Sequence, residues 1–242
     1  MTDRGNEEVY RCRRADKYSI YYRVHVQKLG WLGWTKNGAD AGSTGCAYRI
    51  EALQIRMRIK GSSAPGSMAN AYIKDQVHLN VPCVMQNPEL PTGCESVALT
   101  NLLKYHGFSL SKTTIADHYM PYGTNIAINF VGNPHDSNDA GIYPPGIVVT
   151  ANKFLKEKKS RLRAYDITGS SMDQLYQYLE KGYPVLVWGT TYMEMPHVSG
   201  YYVYKDKRYP WYREEHCMVL KGYNRRKGEI LKVFIIIWNR SA

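Results

Sequence analysis

Long apolar runs are absent from this sequence. The last one, Val233 to Trp238, is far short of the roughly 20 residues a membrane-spanning helix needs. No transmembrane helix is therefore predicted. The first residues, MTDRGNEEVYRCRRADK, carry charge throughout and lack the apolar stretch of a secretory signal. The chain is thus expected either to stay in the cytoplasm or to have lost its true start. CxxC pairs are missing too. The five cysteines, Cys12, Cys46, Cys83, Cys94 and Cys217, stand at irregular spacing, which argues against a zinc ribbon or a thioredoxin-like motif. A disulfide scaffold is unnecessary in a chain of 242 residues, and an odd number leaves at least one thiol free in a monomer. Hydrophobic residues make up 44% and charged residues 22%, an ordinary globular composition.

Acidic residues are in short supply. There are 21 Asp and Glu against 32 Lys and Arg, for a net charge of +11. Such a balance favours anionic partners: nucleic acid, anionic lipid or anionic cell-wall polymers. The basic residues are scattered. The densest groups, Arg11 to Arg14, Lys156 to Arg163 and Lys221 to Lys227, come with no arginine-rich or RNA-binding signature. No nucleic-acid partner is expected.

Composition shifts near residue 60. The segment KGSSAPGSMAN, Lys60 to Asn70, is small, polar and turn-rich, and reads as a linker. The expected organisation is a charged tail over 1–17, a small β module over 18–59, a linker over 60–72 and a larger domain over 73–242.

In the module, Tyr22, Val24 and Val26 alternate with Arg23, His25 and Gln27. A second alternating run over Tyr48 to Ile59 changes face near Ala52 and Leu53, which predicts a bulge. So short a unit buries little surface and should pack on a neighbour or recur in tandem. Trp31 and Trp34 either fill its core or form an exposed platform for sugar rings. The residues His25-Val-Gln-Lys-Leu-Gly-Trp31, Trp34, Asn37-Gly38, Ala41-Gly42-Ser-Thr-Gly45 and Arg49-Ile-Glu51-Ala-Leu-Gln-Ile55 resemble the clostridial hydrophobic repeat with its signature Trp. That resemblance implies a bacterial surface or secreted protein, a polymer- or protein-binding role for the module, and a missing N-terminal portion.

Beyond Val77 the pattern mixes helix and strand. Strands are expected at Val77 to Met85, Arg163 to Ile167, Pro184 to Thr190, His216 to Tyr223 and Leu231 to Trp238. Helices are expected at Gly93 to Tyr105, Thr113 to Tyr119, Pro145 to Lys158 and Ser171 to Lys181. The last carries a capping box, Ser171 with Gln174. Tyr119 to Tyr143, rich in Pro, Gly and Asn, reads as a long loop. Tyr201 to Tyr212 reads as an aromatic hairpin or loop flanking a cleft. Helices come first and strands gather late, which is an α+β arrangement.

Cys94 follows the turn Pro91-Thr-Gly93 and opens an apolar helix. Taken alone it is either a buried structural thiol or a nucleophile. A helix N-terminus lowers a thiol's pKa, and its free N–H groups can hold an oxyanion. Gln86, eight residues earlier, can supply a side-chain donor. A thiolate also needs a base, and His216 stands at the start of a strand 122 residues downstream. Asn239, after the last strand, is the obvious carboxamide to orient the imidazole. The order Gln, Cys, His, Asn is the papain-like one. Cys83 and Cys217 are expected in the core. Asp117 with His118, and His135 with Asp136, read as solvated polar groups.

Leu79-Asn-Val-Pro, Gln86, Pro91-Thr-Gly-Cys94-Glu-Ser-Val-Ala-Leu-Thr and Glu215-His216-Cys-Met-Val-Leu-Lys-Gly-Tyr223 resemble the papain-like cysteine peptidases related to bacteriocin double-glycine leader peptidases. The stand-alone bacterial branch is the nearer likeness, through Ser111 to Asp117, Phe130 to Pro134, Tyr143 to Ile147 and Gly182 to Trp188. The resemblance covers Val77 to Tyr223. It implies a papain-like fold, with Cys94 as nucleophile, His216 as base and Gln86 in the oxyanion hole. The family's third residue is an Asp in an Asn-Asp-Pro turn. Lys227 to Ala242 contains no Asp, so Asn239 would have to substitute.

The resulting expectation is a cysteine peptidase that needs no metal or organic cofactor, acts on a peptide or protein, and is tethered at a cell surface or outside the cell by its N-terminal module. Two other classes stay open. One is a catalytically impaired peptidase-like binding module. The other is a transglutaminase-like acyl transfer on the same scaffold. No transporter segment is present, so double-glycine specificity does not follow.

Overall fold

The computed structural model describes residues 17–137, 140–191 and 194–233. The chain divides into two compact units, Met1–Gln76 and Val77–Ala242.

In the first unit, β1 (Tyr18–Val26) and β5 (Ile50–Ile59) form an antiparallel ribbon. The short strands β2 (Gly30–Trp31) and β3 (Thr35–Lys36) also pair with β1. The register breaks where His25 faces Ala52 but Val26 faces Ile50. Glu51 is thus the extra residue of a bulge, just before the predicted face change. Val24, Val26 and Leu32 make a small core, joined by Ala41, Tyr48 and Ile73. Trp34 is buried whereas Trp31 is 40% exposed, so one indole fills the interior and the other faces solvent. All of β5 is exposed, and its Ile55, Met57 and Ile59 lie bare beside Ile20.

The stretch expected as a linker folds back instead. Trp34 N–H donates to Ser67 O and Gly33 N–H to Asn70 O. β6 (Tyr72–Lys74) then runs parallel to β4 (Gly42–Thr44). Small residues at 61–70 allow this approach: a β-carbon on Gly33 would lie 2.0 Å from the Ala69 carbonyl oxygen.

The second unit is α+β. β11 (Glu215–Asn224) sits centrally, paired with β7 (Gln76–His78), β8 (Val185–Thr190) and β12 (Glu229–Val233). Helix α1 (Cys94–Tyr105) packs on β11, with α2 (Thr114–His118) and α3 (Pro144–Glu157) beside α1. Two prolines open α3, where their missing N–H groups cost nothing. α4 (Met172–Glu180) has the predicted capping box: Gln174 N–H donates to Ser171 Oγ, and Ser171 N–H to Gln174 Oε1. β9 (Val198–Tyr204) and β10 (Lys207–Tyr212) form the aromatic hairpin, turned by Lys205 and Asp206 at φ 49° and 59°. Both central residues at positive φ suit the right-handed twist of the strands.

Three expectations need correction. The strand foreseen over Val77 to Met85 stops at His78, after which the chain runs irregularly into α1. Arg163 to Ile167 forms no strand. Cys83 is exposed, not core; its alternation pattern belonged to a strand that does not extend that far.

Candidate active site

The turn before α1 sets the site. Gly93 N–H donates to Leu90 O, and a β-carbon at 93 would lie 2.9 Å from the Leu90 β-carbon and 3.2 Å from that of Pro134. Glycine permits that closeness. Cys94 is then the first residue of the helix, buried with Val81, Leu90, Val97, Ala98, Cys217 and Val219.

The Cys217 backbone N–H donates to Cys94 Sγ at 3.4 Å, across 123 residues of sequence. This contact joins the start of α1 to β11, one residue beyond His216. His216 is opposite Gly189 in the sheet and half-buried, while Cys217 points into the core as expected. Beyond the hairpin, a cleft of about 240 Å³ opens at the start of β11, lined by Thr190, Glu194, Met195, His197, Arg213 and Glu214. Gln86 is fully buried. Its Nε2 donates to Pro91 O at 2.7 Å, and its Oε1 is buried without a partner. Asn239 lies outside the described residues.

The state of the thiol differs from expectation. Burial raises the Cys94 pKa well above the ordinary thiol value, and Glu95, Glu215 and Cys217 add to the rise. The single N–H from Cys217 opposes this only in part. That rise favours the thiol form, with Sγ as donor to Glu95 Oε2 at 3.3 Å. Roughly half a charge at the helix end is outweighed by desolvation and two neighbouring carboxyls.

Those carboxyls are the residues that sequence reasoning missed. Glu95 follows the thiol in the first turn of α1, where an acid usually faces water; here it is completely buried. Its Oε1 accepts from Ile142 N–H at 2.8 Å. Neither Glu215 oxygen has a hydrogen-bond partner within ordinary limits. A β-carbon on Gly141 would lie 2.3 Å from Glu95 Oε1 and 2.7 Å from Glu215 Oε1, so both carboxyls crowd one glycine. Burial raises both pKa values, and Glu95 further raises that of Glu215. Two buried carboxyls side by side cannot both ionise cheaply, so the pair retains a proton. The Cys217 thiol and the Tyr143 hydroxyl face the same pair. Tyr143 is pushed up to about 12, mainly by burial, while its hydroxyl donates to Pro210 O and accepts from Tyr212 N–H. The only sequence signal was an acid inside an otherwise small and apolar helix start, Cys-Glu-Ser-Val-Ala-Leu.

The pair has a consequence for stability. The folded-state pKa values lie above the ordinary 4.5. Stability from this site is therefore complete below that pH and falls as pH rises through the folded values. Glu215→Gln removes one ionisation while preserving shape. We predict equal melting temperatures for variant and wild type near pH 4.5, and a variant more stable by roughly 5 °C at pH 8. Calorimetry across pH checks this.

Asp117 and His135 are partly exposed, as expected of solvated polar groups, and they also pair with each other. His135 Nε2 meets Asp117 Oδ1 at 3.0 Å and Nδ1 meets Glu89 O at 2.9 Å, tying the long loop to α2 and to the turn before Cys94.

A thiol at a helix start, packed against the strand that carries a histidine on an α+β scaffold, is the arrangement of the papain-like fold seen in C39-like peptidases. Residues 78–236 match the model of the Peptidase_C39 like family, and residues 25–58 match that of the clostridial hydrophobic W repeat. The chain belongs to the Peptidase_C39-like family. It is 32% identical over 111 residues to the uncharacterized protein YvpB of Bacillus subtilis (strain 168), a match spanning 43% of this chain and 42% of that protein. The crystal structure of a candidate C39-like peptidase from Bacillus anthracis superposes with a TM-score of 0.58 at 26% identity, covering 67% of this chain and 84% of the other.

Proposed function

We propose that the second unit hydrolyses peptide bonds with Cys94 as nucleophile and His216 as general base. The contact from Cys217 N–H to Cys94 Sγ carries this reading, because it holds the thiol against the residue next to the histidine. His216 takes the thiol proton as sulfur attacks the carbonyl carbon. The oxyanion so formed accepts from the Cys94 backbone N–H and from the Gln86 amide. His216 returns the proton to the leaving amine, and water then cleaves the thioester. A thiolate beside two carboxylates would be prohibitive, so the proton held by Glu95 and Glu215 is a condition for the chemistry. In the region after β12, Asn239 is the residue available to orient the imidazole.

The clostridial hydrophobic W repeat supports a surface or extracellular setting, with the first unit as tether. Among the described residues no helix is long and apolar enough to cross a membrane. A second reading, binding without hydrolysis, is favoured by the burial of Cys94 and the raised pKa of its thiol.

The test is incubation with a mixture of unfolded proteins in ¹⁸O-labelled water, with and without added glycine amide, followed by mass spectrometry of the termini. The expected products are new carboxyl termini carrying ¹⁸O. Amide adducts in their place would identify acyl transfer to amines, and unchanged substrates would favour the binding reading.

A further inference from the structure

The first unit holds a groove of about 680 Å³, within the size range of ligand sites. Cross-strand pairing builds one wall. Arg23 lies opposite Gln54, Tyr21 opposite Arg56 and Ser19 opposite Arg58, so Arg23, Gln54, Arg56 and Arg58 share one face of the ribbon. Along that face Arg56 and Arg58 are two residues apart, about 7 Å. The folded-back segment with Gly66 and Ser67 closes the other side.

The arginine at the centre is preset. The Arg23 guanidinium lies 4.8 Å from the Trp31 ring centroid and 5.0 Å from that of Trp34, and its Nε donates to Gln54 Oε1 at 2.8 Å. Stacking and one hydrogen bond fix the plane and leave the remaining N–H groups to meet a carboxylate. Among the described residues no Asp or Glu lines the groove, and none forms an ion pair with Arg23, Arg56 or Arg58. Three uncompensated cations around one cavity raise its potential, which an anion would relieve. Trp31, 40% exposed in the groove lining beside Arg23 and His25, adds an apolar aromatic surface for a sugar ring.

From this juxtaposition of spaced arginines and an exposed indole, we propose that the groove binds an acidic polysaccharide, with carboxylates on the arginines and a sugar ring on Trp31. The proposal names the ligand class for the tethering role given to this unit above and rests on that reading.

The experiment is isothermal titration of the full chain with polygalacturonate, neutral dextran, polyphosphate and duplex DNA at fixed salt. Polygalacturonate should bind and dextran should not. The double variant Arg56→Gln/Arg58→Gln should weaken binding about tenfold or more, and Trp31→Ala about fivefold. These side chains are exposed or half-exposed, and circular dichroism would verify that the variants keep their fold. No binding of polygalacturonate would overturn the proposal. So would binding insensitive to Trp31→Ala and matched by polyphosphate or DNA, which would mark a generic anion surface. Either failure leaves the hydrolytic reading standing, since none of these residues belongs to the second unit.

Discussion

His216→Ala should lower kcat/KM for peptide cleavage by about 10³- to 10⁴-fold. The thiol begins protonated, because burial and two carboxyls hold its pKa up. Without a base to take its proton, sulfur would have to ionise against that environment, and the leaving amine would depart without a proton. The loss should therefore fall on kcat more than on KM. Raising the pH should recover activity poorly, since alkaline solution also ionises Glu95 and Glu215. Added imidazole should restore part of the rate. Kinetics on a peptide cleaved by the wild type, with and without imidazole, checks this. A loss confined to KM would place His216 in substrate binding instead.

The largest effect on stability is expected at Gly141. Its φ of 134° lies in a region L side chains avoid, and a β-carbon there would strike the inner oxygens of Glu95 and Glu215. Glu side chains yield easily at a surface, but Glu95 is completely buried and anchored by Ile142 N–H. Gly141→Ala should destabilise the second unit by roughly 2–4 kcal/mol, from overpacking and backbone strain together. In a unit of this size that lowers the melting temperature by roughly 5–15 °C. Combining it with Glu215→Ala should cost less than the sum of the two changes, because the second substitution removes one of the two carboxyls the new methyl meets, leaving only that of Glu95. Strict additivity would show that Glu215 is not part of what crowds position 141.

What could be read in advance divides along physical lines. Alternation in Tyr22 to Val26 and Leu53 to Ile59 marked β1 and β5, because an extended chain turns successive side chains to opposite faces, although only β1 buries one of them. Ser171 and Gln174 marked the start of α4, because a capping box is a local event. Cys94 at a helix start and His216 on a strand were legible for the same reason. The linker was misread because small polar residues describe flexibility and close packing equally well; Gly33 against Ala69 decided for packing. Cys83 was misplaced because a plausible strand was cut short after His78. The Glu95 and Glu215 pair lay beyond reach. The two are 120 positions apart, and only the tertiary contact of α1 with β11 buries them together. The thiol's raised pKa follows first from burial and then from that pair, both tertiary effects that outweigh the helix end, so it could not be foreseen either.

The decisive measurement compares wild type with Cys94→Ala on one peptide mixture, counting new amino termini by mass spectrometry. Thiol chemistry at Cys94 predicts cleavage by the wild type and a loss on the order of 10⁴-fold or more in the variant. Equal cleavage by both proteins would contradict it, as would a wild type that binds peptides yet releases no new terminus.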